Sequence, residues 1–175
     1  MTREGPLPAE RLTYAIKGLD GWYAALTNAE DAYSQSTLRR AVGTTISSVL
    51  IAAGEESVPI YVSGRLDESY SGSLLLVYQD MILTVDVDSL ASDQPSHLVR
   101  LWPLASVSAI TVKARRSYYD GVDKYPRHHR FSFSFVLGEQ QFELSSSAEL
   151  HQSELVQESA LFEAFQLLRA RINRA

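Results

Sequence analysis

The stretch Ser73–Val87 constrains the fold of this chain more than any other part of the sequence. Its letters, SLLLVYQDMILTVDV, describe two apolar runs joined by a short polar turn, which is the pattern of a β-hairpin. The first run, Leu74–Tyr78, is apolar throughout, so we expect both of its faces to be covered. Thr84 and Asp86 point to one face of the second run. The opposite face of that run is apolar at Met81, Leu83, Val85 and Val87.

Two helical patterns precede the hairpin. Ser36 is the predicted N-cap of the second pattern, which runs over residues 38–53, and Gly54 is its predicted C-terminal stop. In the first pattern, Gly18 and Gly21 weaken the middle and favour its division into two short helices. The apolar residues of the first pattern recur at spacings of three and four, as Leu12, Ile16, Leu19, Tyr23 and Leu26.

The rest of the chain has the alternating pattern of short strands and ends with the pattern of a helix. Strands are predicted over residues 58–66, 98–102, 131–135 and 140–144, and a tight corner after Pro103 leads into a further strand that ends near Ala114. Ser132 and Ser134 alternate with three phenylalanines and are predicted to face outward. Ser146 and Glu149 have the spacing of a capping box for the last helix. The apolar stripe of that helix consists of Leu161, Phe162, Phe165, Leu168 and Ile172.

We therefore predict an α+β fold. Two N-terminal helices precede about seven antiparallel strands, which form a bent sandwich or partly open barrel, and the final helix closes one end. The predicted domains are residues 1–54, a helical segment packed on or extending the barrel, and residues 55–175, the barrel with its C-terminal helix. If the N-terminal helices did not pack on their own barrel, their apolar faces would need another subunit, so a homo-oligomer is one hypothesis.

Composition limits the classes of function. The 175 residues include no cysteine, which excludes disulfides, thiolate zinc sites and a cysteine nucleophile, and fits a reducing compartment. The first twelve residues, MTREGPLPAERL, lack the apolar core of a signal peptide. The run Ile46–Ala53 is too short to span a membrane. We expect a cytoplasmic protein without a transmembrane segment.

Positive charge is concentrated in residues 113–130. Six cations against two aspartates give this segment +4, so the rest of a chain of net charge −5 carries −9. Cations interleaved with tyrosines could hold an anionic ligand, either a lipid headgroup or, less favoured, a nucleic acid. The other interpretation is a solvated loop. The candidate binding residues are Lys113, Arg115, Arg116, Tyr118, Tyr119, Lys124, Tyr125, Arg127, His128 and Arg130.

Motifs for catalysis and metal binding are missing from the sequence. It contains no GxSxG, Walker, GxGxxG or HExxH pattern. His128 and His129 are adjacent and point in opposite directions on an extended chain, so they do not chelate one ion. We predict no catalytic residue, no metal and no cofactor, and keep an enzyme without a recognisable motif as a further alternative.

The order of motifs in residues 54–173 carries a resemblance. Gly54-Glu55-Glu56 follows a helix, and LLLVYQDMILTV, WPLASVSAITV, a β-hairpin and a helix come next. Pro103-Leu104, with apolar residues at Val107, Ile110 and Val112, is its best part. This arrangement resembles the bacterial pleckstrin-homology-like domains. The resemblance implies a seven-stranded bent barrel capped by a helix, and a non-enzymatic interaction module.

The resemblance also bears on the ligand. Pleckstrin-homology domains that bind phosphoinositides mostly use the loop after their first strand. That loop is Asp67–Gly72 here, and Asp67 and Glu68 give it the wrong charge for phosphate. We therefore predict a cytoplasmic interaction module that binds a protein partner or self-associates, with an anion-binding module using residues 113–130 as the alternative.

Overall fold

The computed structural model describes residues 7–31, 36–114, 131–145 and 154–172. The helices are α1 (Pro8–Lys17), α2 (Trp22–Asp31), α3 (Thr37–Ala53) and α4 (Glu154–Ile172). The strands are β1 (Tyr61–Leu66), β2 (Gly72–Val77), β3 (Met81–Asp88), β4 (Ser96–Pro103), β5 (Val107–Ala114), β6 (Phe131–Leu137) and β7 (Gln140–Ser145). A single 3-10 turn, Leu104–Ser106, connects β4 to β5. The predicted α+β class and the strand number are thereby confirmed for the described residues.

The chain divides into two compact units, residues 1–101 and 102–175. The first unit contains α1–α3 and a four-stranded antiparallel sheet in the order β1-β2-β3-β4. The second contains a three-stranded antiparallel sheet in the order β5-β6-β7, together with α4. The strands of the described residues pair within these two sheets and do not form one closed ring. The bent barrel and the domain boundary at residue 54 therefore stay predictions.

Three N-terminal helices are present instead of the two predicted. The first pattern divides at Gly18–Gly21, as its glycines indicated. This break shifts the phase of the apolar stripe, so Trp22 is fully buried and Tyr23, predicted to share the buried face, is 54% exposed. The turn is fixed against β1, because the Leu66 amide donates to the Asp20 carbonyl at 3.0 Å.

Gly21 meets two requirements of that turn. Its φ is +71°, a conformation that residues with a Cβ rarely adopt. A Cβ at this position would lie 2.2 Å from the Leu66 carbonyl oxygen, closer than any side chain allows. Glycine is therefore needed where the α1–α2 turn meets β1.

Both predicted boundaries of α3 are confirmed. The Ser36 side chain accepts a hydrogen bond from the Arg39 amide at 3.2 Å, and the helix ends at Gly54 with φ +86°. The helices pack on the sheet of their own unit, through contacts of α1 with β1 and of α3 with β3. The apolar stripes of the N-terminal helices therefore have a partner within the chain.

The hairpin forms the centre of the first unit. Residues 74–77 of β2 are all buried, which confirms that both faces of this strand are covered. In β3, Thr84 lies on the face opposite the predicted apolar one and is nevertheless buried, at 4% exposure. The strand predicted over residues 58–66 begins only at Tyr61, since Pro59 has no amide hydrogen to donate.

The second unit is built around β6. Its residues Phe131, Phe133 and Phe135 are buried on one face, and Phe133 lies 5.4 Å from Phe165 of α4 between ring centroids. Ser132, predicted to face outward, is only 2% exposed, so both faces of the strand are covered at this point. The predicted turn at residues 138–139 is confirmed. The predicted capping box at Ser146 and Glu149 lies outside the described residues.

Candidate interaction site

Of the candidate residues in the predicted basic site, the structure describes only one. Lys113 is exposed near the end of β5, and its register partner on β6 is Ser132. Whether this segment binds an anion stays a prediction. The other nine candidates lie outside the described residues: Arg115, Arg116, Tyr118, Tyr119, Lys124, Tyr125, Arg127, His128 and Arg130.

The hydrogen bonds of the β1–β2 loop converge on a carboxylate within the loop itself. Asp67 Oδ1 accepts hydrogen bonds from the Ser69 hydroxyl at 2.6 Å and from the amides of Ser69 and Ser71 at 2.9 Å. The hydroxyl of Ser69, followed by the Ser71 amide, lowers the pKa of Asp67 below its ordinary value. A loop that uses its amide donors to hold its own anion has none of these donors left for a phosphate.

A second carboxylate joins the same loop to the end of β3. The Ser71 hydroxyl donates to Asp88 Oδ1 at 3.1 Å and accepts from the Ser89 amide at 2.8 Å. Ser89 has a φ of +47°, which its short polar side chain tolerates. This end of the first sheet is therefore acidic and internally hydrogen-bonded, and the lack of phosphoinositide binding at this loop stays a prediction.

A serine and a histidine meet between α3 and β4. Ser48 Oγ lies 2.9 Å from His97 Nε2, and the same hydroxyl donates to the Thr44 carbonyl at 2.9 Å. A hydroxyl has one proton, and which of the two side chains donates in this contact depends on the histidine tautomer. The pair links α3 to β4.

The described residues contain neither a metal-binding group nor a membrane-spanning helix. No three histidine, aspartate or glutamate side chains within these ranges are grouped so that they could hold a metal ion. None of the helices in the same ranges is long and apolar enough to cross a membrane.

The edge strand β5 presents the strongest candidate surface. Six of its eight residues are exposed, whereas five of the seven residues of β6 are buried. Edge strands have backbone donors and acceptors that no neighbouring strand of their sheet uses. The strand is regular from Ile110 onward, after a bulge at Ala109, where φ is +49° and the register shifts.

Apolar side chains on β5 extend the buried face of the sheet into solvent. Val112 is paired with Phe133, and residues directly opposite in a ladder share a face. Phe133 is 1% exposed and packs against Phe165 of α4, whereas Val112 is 51% exposed. Ile110, paired with Phe135 on the same face, is half-buried.

Helix α4 forms the other wall of this surface. Phe165 contacts Phe131 at 5.7 Å and Phe133 at 5.4 Å, and remains half-buried. The guanidinium of Arg169 lies 5.6 Å from the Phe165 ring centroid, within the range of a cation–π contact. We name the surface formed by Ile110, Val112, Phe165 and Arg169 the β5–α4 surface.

The β5–α4 surface does not follow from the sequence. The apolar residues of β5 are recognisable there, but alternation alone does not tell an edge strand from a central one. The one available signal was the cation at Lys113 within an apolar strand, a common feature of edge strands.

Comparison of the chain with protein-family models, with curated proteins and with solved structures found no match.

Proposed function

We propose that this chain is a non-enzymatic, cytoplasmic interaction module of pleckstrin-homology-like fold, and that it binds an extended segment of a protein partner along β5. The observation that carries the proposal is the exposure of Val112, an apolar residue on an edge strand beside a helix. An extended segment that added to the sheet here would gain backbone hydrogen bonds and cover this side chain.

Support for the fold comes from the order of the strands. Four antiparallel strands and then three, each paired with its sequence neighbours within its own sheet, precede a helix that packs on β5. The resemblance implies seven strands followed by a capping helix, and Pro103 and Leu104 lie here at the step from β4 to β5. The bent barrel itself is part of the proposal.

Support for the mode of binding comes from the chemistry of the strand. Backbone pairing supplies affinity without sequence preference, and side-chain pockets supply specificity. Here Val112 and Phe165 would receive an apolar side chain, and Arg169 beside them would favour an acidic residue in the partner. We therefore propose that the partner segment has apolar residues at alternate positions and at least one acidic residue.

The experiment is a selection of displayed peptides on the full chain, followed by titration of isotope-labelled protein with a selected peptide. We expect shifted amide resonances in residues 110–114 and in α4. Val112→Asp should weaken binding about tenfold or more, because it puts a charge where an apolar side chain binds. The matched control is Leu98→Asp, since Leu98 is 50% exposed on β4, the edge strand of the other sheet.

The expected control result is unchanged affinity in Leu98→Asp, with both variants folded by circular dichroism. Three results would refute the proposal. The selection could enrich no peptide, wild type and Val112→Asp could bind the peptide with equal affinity, or the resonance shifts could lie outside β5 and α4.

A further inference from the structure

A second exposed surface lies on the first unit, on the outer side of α1. Leu12 and Ile16 are the buried residues of this helix, at 3% and 0% exposure. Leu7 and Tyr14, seven residues apart and therefore on one face, are 64% and 73% exposed. Glu10 is exposed, lies four residues before Tyr14 and so on the same side of the helix, and accepts a hydrogen bond at Oε2 from the Leu7 amide at 3.0 Å. This outer side is apolar at its centre and charged around it.

Helix α2 extends the surface through its contacts with Lys17 of α1. Lys17 Nζ lies 5.8 Å from the centroid of the Tyr23 ring and 3.3 Å from Glu30 Oε2. Tyr14 is three residues before Lys17 on α1, so Lys17 lies between the two exposed tyrosines. Tyrosines bury roughly 150–250 Å² each in interfaces, and both of these expose more than half of their surface. Tyrosine is also among the residues enriched at protein interfaces.

The charges of α1 match a second copy of the same helix. Glu10 and Lys17 are equally distant from the midpoint between Thr13 and Tyr14, about 5 Å along the axis in each direction. If two α1 helices cross antiparallel at this midpoint, Glu10 of each copy faces Lys17 of the other. An interface of two-fold symmetry needs such a self-complementary surface.

We propose that the outer side of α1 is a homodimer interface, in which Tyr14 lies near the two-fold axis and Glu10 and Lys17 form reciprocal ion pairs. An anionic lipid surface is not favoured as the occupant, because residues 7–101 contain twelve acidic and six basic side chains. This interface is separate from the β5–α4 surface and does not depend on the function proposed for it.

The test is sedimentation velocity on the full chain, whose monomer mass is 19.5 kDa, over a range of micromolar concentrations. We expect wild type to reach twice this mass. Tyr14→Ser should raise the dissociation constant about tenfold or more. Leu98→Ser, the control on β4, should leave it unchanged, because Leu98 is an apolar residue that is 50% exposed on another element.

The charge prediction has a sharper test. Glu10→Lys places two lysines opposite each other in the dimer, and Lys17→Glu places two glutamates opposite each other, so each variant alone should be monomeric. Mixed together, the two variants restore both ion pairs and should form a heterodimer. If either variant were monomeric only because it is unfolded, mixing the two would not form a heterodimer. A wild type that stays monomeric, a dimer that survives Tyr14→Ser, or a mixture that stays monomeric would overturn the proposal.

Discussion

The contact between α4 and β6 can be tested with a double-mutant cycle on Phe133 and Phe165. Phe133 is 1% exposed, and its ring centroid lies 5.4 Å from that of Phe165. Phe133→Ala removes a buried ring and should lower the free energy of unfolding by about 3–5 kcal/mol. Phe165 is half-buried, so Phe165→Ala should cost less, about 2–3 kcal/mol.

The coupling between the two rings is the decisive quantity. Aromatic pairs in contact contribute about 0.5–1.5 kcal/mol beyond the area that they bury. The double variant should therefore be less destabilised than the sum of the single variants by about this amount. For a chain of this length, Phe133→Ala alone should lower Tm by roughly 6–20 °C.

Urea unfolding of the wild type and the variants measures these energies. The control cycle pairs Phe165 with Phe142, which among the described ring contacts packs on Phe135, at 5.6 Å, and not on α4. Its coupling should lie within about 0.3–0.5 kcal/mol of zero. If the cycle of Phe133 with Phe165 were equally close to zero, α4 would not pack on β6 as described.

Three further predictions concern glycine, pH and the β1–β2 loop. In thermal unfolding, Gly21→Ala should lower the free energy of unfolding by about 1–3 kcal/mol or more. Gly43→Ala, on an open face of α3, should raise it by about 0.5–1 kcal/mol. Equal effects of the two variants would contradict the described α1–α2 turn. Burial raises the pKa of Tyr78 from 10.0 to about 12, so the unfolded chain loses this proton first and stability should fall as pH rises from about 10 towards about 12. Urea titrations across that range should show a shallower fall in Tyr78→Phe, and an unchanged slope would refute the assignment. Asp67→Ala should speed amide hydrogen exchange at Ser69 and Ser71, measured by nuclear magnetic resonance, because it removes their acceptor; unchanged exchange would show that the loop does not depend on this carboxylate.

Periodicity and capping residues predicted most of the secondary structure. Ser36 and Gly54 act at the two ends of α3 because their roles are local and depend on few neighbours. The apolar run Leu74–Val77 indicated burial on both faces without indicating what covers them. The sequence therefore predicted local structure wherever a single residue determines it.

The sequence predicted the tertiary packing less well than the secondary structure. Thr84 and Ser132 are buried although the alternation assigned them to outer faces, because alternation separates the two faces of a strand without showing what covers each of them. Tyr23 left the predicted stripe when the helix divided at Gly21. The β5–α4 surface depends on strand order, which pairs residues distant in sequence, such as Val112 with Phe133. No local pattern contains that information.

The most direct test of the account is the geometry of a selected peptide bound to the full chain. Nuclear Overhauser contacts should place the peptide beside residues 110–114 as an added strand, with an apolar side chain against Val112 and Phe165. A peptide seated on another strand or helix, with the resonances of β5 unchanged, would contradict the account.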